Sequence, residues 1–428
     1  MGNLNLPPGW VWKMIGEIAD TTSGGTPLRS HIEYYGGNIP WIKSGELRDG
    51  IIRKSDETIT ELGFTSSSAK LFPKGTVVVA LYGATVGKTG ILDIEASSNQ
   101  AVCAIFPRNH SFITKYMFYW LQSQRKNLIS QSMGGAQPNI SQGIIRALPF
   151  PLPPLPEQER IVERIEILFT QLDAGVAGLK RAQVVLKRYK ASVLKAACEG
   201  RLVPQDPSDE PAEDLLQRLG NLPLSDEGLL NLPSGWCWTH LPAIGDLARG
   251  KSKHRPRNDP FLYGGSYPFV QTGDIRQANG TITTYSQTYS DAGLKQSKLW
   301  KKGTLCITIA ANIAETAILG FDACFPDSIV GFIPLDKIET RFVQYFINTV
   351  KDDLERYAPA TAQKNINLDI LQKIAIPLPP LTELQYIVAE VERRLSMVQV
   401  LEQTIESNLK RAGRLRQAIL KRAFEGRL

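Results

Sequence analysis

The stretch Gly83-Ala84-Thr85-Val86-Gly87-Lys88-Thr89 is the segment of this sequence that most looks like a chemical device. Glycines ahead of a Lys-Thr pair can turn the backbone so that its N–H groups cradle a phosphate. That cradle needs four residues between its glycines. This stretch has three, and Tyr82 stands where the first Gly belongs. A Gly-rich turn near the surface is the expectation, with a P-loop NTPase as the alternative. The five cysteines (Cys103, Cys198, Cys237, Cys306, Cys324) form no Cys-x-x-Cys. Cys237 and His240 have the spacing of two zinc ligands, yet no second pair accompanies them. His31, His110, His240 and His254 lie far apart, and no two share a ligand spacing. There is no Asn/Asp-Pro-Pro-Phe/Tyr run for methylating a base amino group and no Asp-Glu-Ala-Asp box. The expectation is a chain without catalytic residues, metal or cofactor of its own.

The residues that remain are suited to binding. Arg249-Gly250-Lys251-Ser252-Lys253-His254-Arg255-Pro256-Arg257 holds five basic residues in nine. Lys251, Ser252, Lys253, Arg255 and Arg257 read as a mobile cationic loop that meets phosphates. The counterpart Thr21-Thr22-Ser23-Gly24-Gly25-Thr26-Pro27 is uncharged. There Ser23, Gly24, Gly25 and Thr26 offer hydroxyls and backbone N–H groups. Gln137, Asn139, Gln363 and Asn365 carry side-chain groups that can pair with adenine, and are ordinary turn residues otherwise. Lys43, Ser44, Lys88 and Gln271 complete the candidate set.

These groups need elements to position them. The chain has 428 residues, 43% hydrophobic and 21% charged, enough for several globular domains. Its formal charge is +7 and its pI about 9.0, which points weakly to a polyanionic partner. The charge is uneven. Residues 203–227 hold one basic residue against seven acidic ones, and read as an acidic Pro-rich linker too poor in apolar residues to fold alone. A short helix at 212–219 is a candidate for docking. No apolar run reaches the roughly 18 residues of a membrane span, and no signal peptide opens the chain. With no disulfide pattern, the expected compartment is the cytoplasm.

The sequence is written twice. Leu6-Pro7-Pro8-Gly9-Trp10 recurs 226 residues later as Leu232-Pro233-Ser234-Gly235-Trp236. At the same 226-residue offset, Pro151-Leu152-Pro153-Pro154-Leu155 recurs as Pro377-Leu378-Pro379-Pro380-Leu381, and Glu199-Gly200-Arg201-Leu202 as Glu425-Gly426-Arg427-Leu428. Glu315 falls where the first copy has Lys88, which argues against a phosphate site there. The expected organisation is a mixed α/β (α+β) fold with internal two-fold pseudosymmetry. Its segments are a globular domain over residues 1–150, a helical region over 151–202, the linker 203–227, a second globular domain over 228–376 and a helical region over 377–428. In the first helix Ile165, Leu172, Leu179, Leu186 and Val193 fall seven apart, with Ile161, Leu168, Gly175, Ala182, Tyr189 and Ala196 beside them. Val391, Val398, Ile405, Ala412 and Ile419 form the matching row of the second. This heptad predicts two long helices pairing antiparallel as a coiled coil, with Gly175, Ala182 and Ala412 permitting close approach. Thr382 and Gln385 have capping-box spacing, and Gly200 and Gly426 mark the helix ends.

Several of these residues together resemble one family, the specificity (S) subunits of type I restriction–modification enzymes. They are Gly24-Gly25-Thr26-Pro27, Ile39-Pro40-Trp41-Ile42, the Gly83–Leu92 stretch, Gln137-Pro138-Asn139-Ile140-Ser141 and, most specifically, Pro151–Val162 ahead of a long helix. The resemblance implies two target recognition domains, each reading half of a bipartite site on double-stranded DNA. It implies helices, the family's conserved regions, that space the domains and dock two methyltransferase (M) subunits, with up to two restriction (R) subunits joining. S-adenosylmethionine, ATP and Mg2+ would then belong to those partners, with DNA methylation the outcome and no membrane involved. The second copy departs mildly, with Leu381-Thr382-Glu383-Leu384 for Leu-Pro-Glu-Gln and Asn365-Ile366-Asn367 for Asn-Ile-Ser. A coiled-coil adaptor that binds only proteins is the competing reading.

Overall fold

A computed structural model describes residues 6–131, 139–310, 313–335, 337–351 and 366–428. The chain forms two compact units, residues 1–180 with 406–428, and residues 181–405. Each unit therefore takes one globular domain, the near half of its own long helix and the far half of the other.

The first unit is built on a five-stranded sheet in the order Ala19–Ser23, Val102–Pro107, Val77–Ala80, Thr89–Leu92, Gly50–Ile52. The last pair is parallel and the others antiparallel. Val77–Ala80 is wholly buried, and its alternation decides what lies on each face. Val77 and Val79 join a core with Tyr116, Trp120 and Phe150, while Val78 and Ala80 join a second with Phe72 and Ile42. The second unit repeats the order as Gly245–Arg249, Ile329–Pro334, Leu305–Thr308, Thr316–Leu319, Thr281–Ile282, again with the last pair parallel. A two-stranded ribbon closes each unit. Val11–Met14 pairs Pro149–Leu152, and Cys237–His240 pairs Ala375–Leu378, in the same register. The duplication read from the sequence is thus a duplication of topology within a mixed α/β fold.

Helices run over Leu155–Cys198 and Leu381–Phe424, 44 residues each, about 66 Å at 1.5 Å per residue. Gly200 and Gly426 follow them with φ of +64° and +66°, the left-handed turn that ends a helix. Thr382 lies inside the second helix rather than at its cap, so the capping box expected with Gln385 does not form. The heptad rows are the shielded rows. Ile165, Val193, Val391, Val398, Ile405 and Ile419 are buried, and Leu172, Leu179 and Leu186 are half-buried. Gly175 is an exception, because a Cβ there would meet nothing within 4 Å. Its expected role in close approach is not needed.

Within each unit the helix segments run antiparallel. In the first, Trp10 Nε1 donates to Glu157 Oε1 at 3.0 Å, and Pro7 lies against Gly426. Further along, Arg416 pairs Asp173 at 2.9 Å and stacks 4.2 Å from the Phe169 ring. In the second, Trp236 Nε1 donates to Glu383 Oε2 at 2.8 Å, Pro233 lies against Gly200, and Lys190 pairs Glu402 at 2.7 Å. The acidic stretch 203–227 corrects the linker reading. Ala212–Arg218 is a helix whose Ala212, Leu215 and Leu216 are buried beside Trp236, Cys237 and Leu241. Two adjacent leucines anchor it, although carboxylates dominate its average composition.

Candidate nucleic-acid interface

The two loops expected to bind leave equivalent strands. Residues 24–27 follow Ala19–Ser23, and residues 250–257 follow Gly245–Arg249. Gly24 N donates to Val102 O, and Gly250 N to Ile329 O at 2.9 Å. A Cβ on Gly24 would lie 2.0 Å from Ser98 O, and one on Gly250 2.3 Å from Phe325 O. Gly25 is packed as tightly against Ser68 and gives its carbonyl to Trp41 Nε1 at 3.0 Å. Both glycines of the first loop are buried. Their size serves packing, which corrects the reading of them as groups offered outward. Ser23 is half-buried at the strand end, and Thr26 donates to Gln100 Oε1.

The second loop is anchored, which corrects its reading as mobile. Lys251 N donates to Phe325 O and His254 N to Gln296 Oε1. Arg257 is bidentate on Asp327 at 2.8 and 3.0 Å, and Arg255 donates to the carbonyls of Ser252 and His254. Ser252 is buried, 7% exposed, and so points away from any phosphate outside. Lys251 and Lys253 are exposed, and among the described residues neither is in an ion pair. They are the loop's available cations.

A neighbouring segment completes the surface in both units. Lys70 Nζ donates to Thr22 Oγ1 at 2.5 Å, and Lys298 lies 3.7 Å over the Trp300 ring. These lysines recur 228 residues apart and were missed by sequence reasoning, although the lysine two residues before a buried aromatic (Phe72, Trp300) was a usable signal. Arg29, also missed, stacks 4.5 Å from the Tyr35 ring and pairs Glu57. Lys43 Nζ shares that carboxylate at 2.6 Å. The hydrogen bond from Lys43, then that from Arg29, holds Glu57 below its ordinary pKa against the opposing effect of burial. Lys43 and Gln271 occupy equivalent turns, where each backbone N–H is taken by a carboxylate three residues on, Glu46 or Asp274. Ser44 opens the first of these turns as a half-buried residue, and Gln271 Nε2 donates to Gln287 Oε1 at 2.6 Å.

The P-loop alternative fails on topology. The stretch containing Gly83 and Gly87 joins antiparallel strands Val77–Ala80 and Thr89–Leu92. A strand therefore comes next where a phosphate cradle requires a helix N-terminus. Lys88 is half-buried in this turn, and its counterpart Glu315 pairs Lys351 at 2.7 Å. Asn139 is exposed and bridges Tyr82 beside the same turn, where Ile140 N donates to Leu81 O at 2.8 Å. Ile366 N donates to Ile309 O in the second unit. Gln137, Gln363 and Asn365 lie outside the described residues.

The cysteines are buried thiols. Burial, with Glu213 and Asp226 adding to it, pushes Cys237 up to about 12, and burial does the same to Cys103. Among the described residues no cluster of His, Cys, Asp or Glu could hold a metal ion, and no helix is long and apolar enough to cross a membrane.

A family model described as the type I restriction modification DNA specificity domain matches residues 7–177 and again 241–411. The EcoDI specificity subunit of Escherichia coli is 26% identical over 99% of this chain and 89% of its own length. The EcoBI specificity subunit, also from E. coli, is 24% identical over 100% and 88%. A chain from a structural study of assembly and conformational transition of the type I R-M system superposes with a TM-score of 0.75, 21% identical, over 99% of this chain and 100% of its own. The HsdS subunit of Thermoanaerobacter tengcongensis gives 0.62, 22% identical, over 100% and 99%. Two matched domains, each on one copy of the repeated topology, carry one conclusion: this chain belongs to the type I restriction modification DNA specificity family.

Proposed function

We propose that this chain is the DNA-reading, non-catalytic subunit of a type I restriction–modification complex, acting in the cytoplasm. Each globular domain reads one half of a bipartite site. The observation that carries this reading is the pair of equivalent loops after Ser23 and Arg249. They share a backbone and a packed glycine yet present different chemistry, Thr26 in one and Lys251 with Lys253 in the other. Two readers of different half-sites on one scaffold need that combination.

The long helices dock two methyltransferase subunits and set the spacing of the half-sites. Met397, Val400 and Leu401 are 57%, 60% and 50% exposed on the second helix, and Val184 and Val185 are exposed on the first. Spacing of three and four residues makes the former an apolar stripe suited to a partner helix. S-adenosylmethionine, ATP and Mg2+ act in the partner subunits. The test is to express this chain with its methyltransferase partner in a methylation-free host and map the modified bases. A two-part motif with a fixed gap is expected. A continuous motif, or methylation without sequence preference, would overturn the reading in favour of a protein-only adaptor.

A further inference from the structure

The two closing ribbons are alike in register and opposite in exposure. Trp238 in the second unit is 8% exposed and Cys237 5%, while their counterparts Trp12 and Val11 in the first are 45% and 49% exposed. The cover in the second unit is the stretch after the first long helix. Its helix Ala212–Arg218 lays Leu215 and Leu216 on the ribbon's core side, and Ala212 N donates to Gly235 O at 2.8 Å. Leu224 N then donates to Trp238 O at 2.8 Å, and Leu230 O accepts from Trp238 Nε1 at 3.0 Å. Pro377, opposite Trp238 in the ladder, has no N–H to offer that carbonyl. Pro151 stands in the same place opposite Trp12. All four residues Val11–Met14 are exposed, and among the described residues nothing plays the role of Leu224 or Leu230.

We propose that the outer face of Val11–Met14 is a docking site for a partner protein, occupied by a segment like the one that covers its twin. The occupant is a short amphipathic helix with paired leucines, followed by an extended Leu-Pro-Leu run with carboxylates. Its backbone donates to Trp12 O, and its carbonyl takes Trp12 Nε1. The two faces carry similar charge, which is why a similar occupant fits. Lys13 and Arg146 against Glu17 leave the first rim net positive, and Lys373 does so beside the second. Carboxylates flanking the leucines, as Glu213, Asp214, Asp226 and Glu227 do in the covering stretch, complement that rim. Large aromatic anchors of this kind carry much of the energy of an interface. This inference stands apart from the DNA-reading role, since no residue of the loops is involved in it.

The probe is a labelled synthetic peptide of residues 210–232, titrated into the full-length chain. The expected result is saturable binding of one peptide per chain. Trp12→Ala should weaken it at least tenfold, and Lys13→Glu should weaken it in a salt-dependent way. Val11→Thr, which keeps a β-branched residue in the strand, controls for loss of the ribbon and should retain its fold while binding more weakly. Duplex DNA affinity should be unchanged in all three. Absence of saturable binding would overturn the proposal. So would binding indifferent to Trp12→Ala, which would mean the peptide displaces the covering stretch of the second unit. Protection of Trp12 from a soluble quencher by duplex DNA, with none from the peptide, would give the face to nucleic acid instead.

Discussion

Lys251 and Lys253 differ from their basic neighbours in that their side chains enter no ion pair among the described residues. Arg257 is committed to Asp327 and Arg255 to backbone carbonyls, so their charge is partly spent within the protein. Neutralising Lys251 and Lys253 together to Gln should weaken binding to specific and unrelated duplexes alike. It should also flatten the slope of log affinity against log salt by about two, read by anisotropy of a labelled duplex across a salt series. An unchanged slope would place this loop off the DNA. The run of cations was legible as a run, but which of them stay available was not. That depends on Asp327, distant in sequence, and on Ser252 turning inward to a core that no local pattern announces. The same holds for Gly24 and Gly250. Their shared place in the repeat was visible, but the carbonyls of Ser98 and Phe325 that exclude a Cβ come from distant segments.

At the scale of elements, the legible features have a short period. The heptad rows are periodic along both long helices, and the residues they select are the ones the helices shield. The helix over Ala212–Arg218 was legible only as a possibility. Its leucines are outnumbered by carboxylates, and the surface that receives them, around Trp236 and Leu241, lies beyond the stretch itself. If the long helices set the spacing between half-sites, length in the helix is length in the DNA. Four residues inserted after Leu179 add about 6 Å, a little under two base pairs at about 3.4 Å each. They rotate the downstream half of the helix by roughly 40°, and such a stutter is tolerated in paired helices. The mapped motif should keep both halves and gain one or two base pairs between them. Leu179→Pro, which removes a helix hydrogen bond in the middle of the row, should instead abolish assembly with the methyltransferase. An insertion variant that methylates the original spacing as well as wild type would show that the helices dock partners without setting the gap.

The whole molecule is one unit written twice, and the second writing is the better guide to the first. Trp10 with Glu157 and Trp236 with Glu383 are the same bond 226 residues apart. A contact repeated in this way is a property of the frame. The loops after Ser23 and Arg249 differ on that frame, so they are where specificity belongs. The most direct measurement exchanges residues 1–150 for the corresponding domain of a relative with a different site, and maps methylated bases with the same methyltransferase partner. The account predicts that one half of the motif changes to the donor's while the other half and the gap stay as they were. A change in both halves, or in neither, would contradict it.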